Sequence, residues 1–377
     1  MKIYANYDEL LERVSQSGRP VRKLGYPPDG KSPIIAVRCG GEKEPAVFIT
    51  AGSHSTEQAG VSAAVELIEA LDTEHKVYII PSRDPIGLNG YRYALRGGLG
   101  EDPGELDSFE KVESLLRQEG EVLFEEEDMV LSLLGDIGYA SSRPAPGRIC
   151  PQWFFYRRLQ QLEREHPETI EPLRGRRIFM TPGQEGVEGT GNFGRAYTLI
   201  VSPEGEILHL NRFHDTLWAP VEARCARQLM AEINPGICFD LHESQMMEDR
   251  YWLSARHQQD EENEAWAQSI ASATIQAIAA AGATLAEDRD IVVLSTPDGL
   301  EGDATLEDTW FRRSERGVYW LDASIRGEGL NLADFASRVH GLAFGTEMGM
   351  FGSFEHRVSL GMVTVQSAVA KFAERYQ

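Results

Sequence analysis

Two short segments of this chain release metal-binding side chains where apolar runs stop. In VFITAGSHSTEQAG the run Val47–Thr50 ends in Ala51-Gly52. His54 and Glu57 follow, three residues apart, just before an amphipathic stretch. In ICFDLHES the run Ile237-Cys238-Phe239 leads into Asp240, His242 and Glu243. Apolar, β-branched runs of this length read as buried strands, and open α/β sheets bind ligands at the carboxyl ends of their strands. An H-x-x-E alone is a common surface pattern. Two imidazoles and a carboxylate, each delivered at a strand end, make a His₂Glu set of the kind that holds catalytic zinc with one position left open. This predicts one Zn²⁺ per chain on His54, Glu57 and His242. A third run, LAFGTEMG, sets Glu347 at another strand end, a fitting place for a general base. Glu243 is its rival. Neighbours along a strand point to opposite faces, so His242 and Glu243 share a metal only if the strand has ended. Glu347 is therefore preferred.

The motifs, in their order along the chain, resemble the zinc carboxypeptidase family. This carboxypeptidase A-like superfamily also includes aspartoacylase and succinylglutamate desuccinylase. The family order is H-x-x-E, an Asn-Arg pair, a His after a strand and a Glu near the C-terminus. Here it reads His54/Glu57, Asn211-Arg212, His242, Glu347. The resemblance implies zinc on His54, Glu57 and His242, with Glu347 as the base that activates water. It also implies that Asn211 and Arg212, in ILHLNRFHDTLW, grip the substrate's free α-carboxylate. Arginine suits that task because its planar fork donates two parallel hydrogen bonds. An oxyanion-stabilising arginine is matched by Arg92 in VYIIPSRDPIGLNGYRY, with Arg96 as the fallback. A tyrosine on a loop that closes over substrate is matched by Tyr319 in ERGVYWLDASIRGEG, against a packing role beside Trp320. Arg312, Arg313, Arg316 and Arg326 crowd the same stretch and could read an acidic side chain, with solvent-exposed charge the preferred reading of each.

The resemblance covers residues 1–96 and 201–377, and it has departures. Asp84 stands where the family usually has Asn. His209 stands where an Asp commonly orients the first zinc histidine, which leaves the partner of His54 unidentified. Phe213 follows Arg212 directly, without the second Asn of the digestive enzymes.

The elements that must position these residues read as an α/β fold: a mixed, mostly parallel sheet with helices on both faces, in a single catalytic domain spanning 1–377. Strand-like runs at Val21–Tyr26, Pro33–Arg38, Val47–Ala51, Val77–Ile80, Ile237–Phe239 and Ile291–Leu294 alternate with helical patterns. The helices are expected near Tyr7–Ser15, Val61–Leu71, Val221–Ile233, Glu262–Ala281 and Val363–Arg375. Leu199–Ser202 and Ile207–Leu210 flank a turn and predict a hairpin that carries Asn211 and Arg212. Residues 97–197 break the pattern, being rich in Gly, Pro and acids, with helices expected around Phe109–Leu116 and Phe154–Glu165. They read as a large insertion that could cap the cleft.

At 377 residues and 42% hydrophobic content the chain can bury a substantial core. A net charge of −22 argues against nucleic acid and anionic membrane as partners. No run approaches the length of a membrane span, and the charged, amphipathic N-terminus does not read as a signal peptide. Four cysteines without CxxC spacing read as reduced core thiols of a cytoplasmic protein. The expected activity is zinc-dependent hydrolysis of a C-terminal peptide bond. An N-acyl amino acid deacylase is the alternative, although the 30 residues after Glu347 are short of the β-rich segment such relatives carry. A non-catalytic binding domain that kept the fold is the third reading. In the first two the substrate carries a free carboxylate.

Overall fold

The computed structural model describes residues 1–143, 151–182, 193–244, 249–295, 303–326 and 328–377, with the side chains of 151–154 and 294 left aside. The chain opens with β1 (Val21–Gly25), β2 (Ile34–Gly40), β3 (Lys43–Ala51) and β4 (His75–Ile80). Its middle holds β5 (Glu121–Glu126), β6 (Met129–Leu134), β7 (Ile137–Ser142), β8 (Arg177–Met180), β9 (Tyr197–Val201) and β10 (Ile207–His209). Then come β11 (Ile237–Ser244), β12 (Tyr251–Ala255), β13 (Phe311–Glu315), β14 (Val318–Leu321) and β15 (Leu342–Gly349).

Nine strands form the main sheet, in the order β1-β2-β4-β3-β11-β15-β12-β14-β13. The central block β4-β3-β11-β15 is parallel, so its carboxyl ends lie along one edge. Strand periodicity decides what each face does. On β3, Val47, Ile49 and Ala51 join a core with Phe239 and Leu241 of β11 and with the helices Gln58–Ala70, Glu261–Ala280 and Phe354–Glu374. The alternate residues, Phe48 and Cys238, pack on the other face with the helices Val221–Ile233 and Leu332–Val339. Helices thus cover both faces, as the alternating sequence pattern implies.

Close approach is needed where β3 turns toward His54. Gly52 has φ +61°, and a Cβ there would meet Ser82 and Val61 at 2.9 Å. Gly60, one turn into the next helix, lets that helix lie against β11, where a Cβ would stand 2.9 Å from the Leu241 carbonyl.

Two expectations are corrected. The stretch 97–197, for which only helices were expected, also holds strands, because β5 to β10 form a second sheet, in the order β10-β9-β8-β7-β6-β5, that runs on to His209. Its two faces pack against the helices Tyr91–Leu99 and Phe109–Glu119 on one side and Pro151–Glu165 on the other. The expected strand Ile291–Leu294 is part of a helix, Asp288–Ser295. A four-residue apolar run cannot separate the two states, and Asp288 and Asp290 in the first turn favour the helix. Cys39, Cys225 and Cys238 are buried free thiols, while Cys150 lies outside the described residues. Among the described residues no helix is long and apolar enough to cross a membrane.

Phe239 stacks on Phe344 across β11 and β15, at 6.2 Å between ring centroids, directly beneath the edge that carries the site residues. Phe239→Ala should cost about 3–5 kcal/mol of unfolding free energy, measured by urea denaturation.

Candidate metal centre

The parallel register sets the site. Along β11, Cys238, Asp240 and His242 share one face, and their partners on β15 are Ala343, Gly345 and Glu347. His242 and Glu347 are therefore cross-strand neighbours on the same face. Glu243 points the other way. Its carboxylate accepts from the Ala59 N–H at 2.6 Å, at the start of the Gln58–Ala70 helix, and pairs with buried Arg357. Strand parity, which disfavoured Glu243 from sequence, holds because β11 continues past His242 to Ser244.

His54 and Glu57 come from the turn after β3. Glu57 sits between two imidazoles, with His54 Nδ1 at 2.5 Å from one carboxylate oxygen and His242 Nδ1 at 2.8 Å from the other. Ligand atoms of His54, Glu57 and His242 all lie within 4.8 Å of one another. Burial alone would raise Glu57, but the two histidines outweigh it and hold its carboxyl down to about 2. Burial pushes His54 down, against Glu57. His242 is raised well above its usual value because Asp240 and Glu57 together overcome burial.

The outer nitrogens test whether this set fits a metal. His242 Nε2 lies 2.8 Å from Asp240 Oδ2. His54 Nε2 lies 2.8 Å from His209 Nδ1. Each ring is thus held by its outer nitrogen while its inner nitrogen faces the shared carboxylate, the orientation that metal-binding histidines need. With a neutral His54 offering its Nδ1 lone pair, Nε2 carries the proton and donates to His209. His209 can accept because burial, then Arg212, pushes its pKa well below the ordinary value. The donor set fits a divalent cation of zinc's ligand preference. His209, placed by β10, is the partner of His54 that sequence reading left unidentified.

Asp240 is the most heavily bonded group here. It accepts from Thr50 Oγ1 at 2.8 Å, from Arg83 at 2.9 Å to both oxygens, from Asn211 Nδ2 at 2.8 Å and from His242. Burial would raise its carboxyl, yet Arg83 and then His242 hold it well below the usual range. Arg83 also reaches Asn211 Oδ1 at 3.0 Å. Sequence reading passed over Arg83, since nothing in PSRDP separates a buried cation from a loop arginine.

Several expected residues lie elsewhere or act differently. Arg92 is exposed and bonded to Asp102 at 2.7 and 3.0 Å, and Arg96 pairs with the same acid. The helix Tyr91–Leu99 buries Tyr91, Ala94 and Leu95, which leaves Arg92 and Arg96 outside. Tyr319 is fully buried in β14, its hydroxyl 3.1 Å from Asp288, under the helix Asp288–Ser295 and away from the cavity. Among the described residues, the tyrosine that borders the cavity is Tyr197 of β9, whose ring stacks on His54 at 5.2 Å. Asn211 borders the cavity, but its amide serves Asp240, Arg83 and the Leu332 N–H. It braces Asp240, and the same Nδ2 lies 2.9 Å from His242 Nε2.

His54, Glu57, His242, Glu347 and Arg212 all line one cavity of about 180 Å³. Burial pushes Glu347 up to about 8, aided by Glu57 and Asp240 and opposed by His242 and Arg212. Arg212 donates from Nε to Glu328 at 2.8 Å, and Glu328 also holds Arg157 at 3.0 Å. Burial opposes ionisation of Glu328, but Arg212 and Arg157 bring it down to about 2.

No protein-family model and no curated protein matches the chain. Among solved structures it is similar to a candidate metallopeptidase of Shewanella amazonensis, with 13% identity and a TM-score of 0.48 over 98% of this chain and 91% of that one. It is similar to a metallo-carboxypeptidase of Pseudomonas aeruginosa, with 12% identity and a TM-score of 0.49 over 98% and 69%. It is also similar to a carboxypeptidase A of Helicoverpa armigera, with 10% identity and a TM-score of 0.47 over 98% and 72%. Identities this low carry over no residue's role, and what the site can do is argued from its own side chains.

Asp240→Asn should lower the affinity for zinc about 10–100-fold, read by chelator competition. Unchanged affinity would reduce Asp240 to a partner of Arg83. Glu328 has a folded pKa near 2 against an ordinary 4.5, so its stabilising contribution is complete above 4.5 and fades as pH falls toward 2. The stability gap between wild type and Glu328→Gln should therefore be wide at pH 7 and narrow at pH 3, by urea unfolding at both.

Proposed function

We propose that this chain is a zinc-dependent hydrolase of an amide bond next to a free carboxylate, acting as a metallocarboxypeptidase. The observation that carries the reading is the convergence of ligand atoms of His54, Glu57 and His242 within 4.8 Å of one another, with Glu347 beside His242 on the same sheet face. His54, Glu57 and His242 would hold the ion. Bound there, zinc would polarise the scissile carbonyl, make water more acidic and favour the ionised form of Glu347.

Glu347 is the base and then the acid. It takes a proton from water as the water oxygen bonds to the carbonyl carbon, and gives that proton to the nitrogen as the C–N bond breaks. Glu347 has room to do this because its strand neighbours leave it on the cavity side, with bare Gly345 next along the same face. Asp240 and His209 keep the two imidazoles aimed inward. Tyr197 stacks on His54 and restricts the approach of bulk water to that ring. Arg212 supplies positive charge for the substrate carboxylate from the same cavity, braced by Glu328.

The small cavity also suits a short substrate, which favours N-acyl amino acids as the second reading. Both share one amide, one carboxylate and one set of residues. A panel of dipeptides and N-acyl amino acids, each as free acid and as C-terminal amide, separates them.

Glu347→Gln should retain zinc and lose about 10²–10⁴ in kcat, with zinc content measured on the same sample. Chelation should abolish wild-type turnover, and zinc should restore it. No hydrolysis of any member of the panel by zinc-loaded wild type would overturn the reading.

A further inference from the structure

The second sheet touches His54 at two points, and β9 governs both. Tyr197 of β9 stacks on the His54 ring. Leu199 of β9 pairs with His209 of β10, which stands 2.8 Å from His54 Nε2. The position of β9 against the turn after β3 therefore sets how the first imidazole of the centre is held. Close contacts around Asp84, which stands where the resemblance has Asn, tie that strand to the edge of the main sheet.

Arg83 and Asp84 run beside the end of β3, donating their N–H groups to the Ala51 and Gly52 carbonyls at 3.0 and 2.8 Å. The Arg83 side chain goes to Asp240, and that of Asp84 goes to β9. The Asp84 carboxyl is fully buried. Its Oδ1 accepts from the Gly87 N–H at 2.9 Å, in the short helix Pro85–Asn89. Its Oδ2 accepts from the Thr198 hydroxyl at 2.7 Å, and Thr198 directly follows Tyr197. On the other side of Tyr197, Ala196 donates its N–H to the Gly87 carbonyl at 2.9 Å and accepts from Ser55 Oγ. Gly87 leaves no slack in this fit, since a Cβ there would stand 2.3 Å from Asp84 Oδ2 and 2.6 Å from the Ala196 carbonyl oxygen. Arg177 of β8 and Glu222 of the Val221–Ile233 helix are the charged groups that bear on Asp84, and they pair with each other at 2.8 Å. Burial pushes the Asp84 carboxyl up to about 7, opposed by its bonds to Gly87 and Thr198, with Glu222 and Arg177 acting in opposite senses.

We propose that Asp84 is a positioning residue of the metal centre, which by holding Thr198 fixes β9 where Tyr197 and His209 meet His54. This rests on the zinc site of the reading above and not on the bond that is cleaved. A carboxyl suits the place because the Gly87 N–H and the Thr198 hydroxyl are both donors, and its two oxygens supply one acceptor to each. An Asn keeps the bond to Gly87 and turns the other round, its NH₂ donating to Thr198 Oγ1.

Zinc affinity, read by chelator competition, tests this without turnover. Asp84→Ala and Thr198→Val should each lower it about tenfold, with thermal melting of each variant showing that it folds. Asp84→Asn should recover most of the loss. Thr198→Val is nearly isosteric and decides the matter if Asp84→Ala does not fold. In a Tyr197→Ala/His209→Ala background, which removes both contacts with His54, Thr198→Val should cost no further affinity. An equal loss in that background would reveal general damage to the fold, and unchanged affinity in folded Thr198→Val would show that the contact positions nothing. Either result overturns the proposal. A second readout needs no metal. Asp84 has a folded pKa near 7 against an ordinary 3.8, so the stability that its proton confers is complete below 3.8 and is lost as pH rises to 7. Wild type should therefore fall behind Asp84→Asn in urea unfolding between about pH 4 and 7, with a level gap above. A gap that stays even across that range would mean that β9 does not close over Asp84, and would also overturn the proposal. Affinities that follow these variants while no peptide is hydrolysed would support the role of Asp84 and sink the hydrolase.

Discussion

One buried carboxylate organises the centre of this molecule. Asp240 lies two residues before His242 on β11, on the same face, and is 1% exposed. A lone carboxylate there would stay protonated, because burial penalises its charge. Arg83 reverses that by bonding both oxygens, and Thr50, Asn211 and His242 fill the remaining acceptor directions. These partners come from the end of β3, from the turn after β4 and from the short 3₁₀ turn after β10. The ion pair therefore fastens four separate segments at the carboxyl edge of the sheet. Removing one member would strand a buried charge, at a cost well above what the pair itself contributes.

The two histidines differ in how they are held. His242 leans on an anion, while His54 leans on the neutral ring of His209. An anionic partner makes an imidazole a more basic ligand, and a neutral one mainly fixes its angle. Arg212 and burial keep His209 uncharged, so the cation that lines the cavity also protects the tautomer of His54. The second sheet thus contributes to the site through β9 and β10, which place Tyr197 and His209 against His54.

How much of this was legible in sequence follows from the range of each interaction. The runs Val47–Ala51 and Ile237–Phe239 announce buried strands by local composition. His54, Glu57, His242 and Glu347 fall at or just past the ends of such runs, and parity along β11 separates His242 from Glu243 without any coordinates. Arg92 and Tyr319 went astray for the opposite reason. Whether Arg92 faces the cavity depends on the phase of the Tyr91–Leu99 helix against the second sheet, and spacing from Pro85 does not encode that phase. Tyr319 sits in a regular strand whose cover, the helix Asp288–Ser295, was read as a strand. The pairing of Arg83 with Asp240, 157 residues apart, leaves no local mark. The second sheet was missed because its strands are short and its sequence is broken by acidic and glycine-rich turns.

The charge balance of the cavity runs against that of the whole chain. At −22 the protein repels anions at long range, but at physiological salt that field decays within about 8 Å of the surface. Inside the cavity screening is weak, and Arg212, Arg256 and Arg326 set the local sign. Among the described residues, Glu328 pairs with both Arg212 and Arg157, and Asp334 with both Arg256 and Arg326. Glu57 and Glu347 border the same cavity and repel each other, and a cation held by Glu57 would relieve that repulsion. On the proposed reading, a substrate held by its carboxylate at Arg212 would present its amide toward His54, His242 and Glu347, so its orientation would follow from these charges before any shape-selective contact is made.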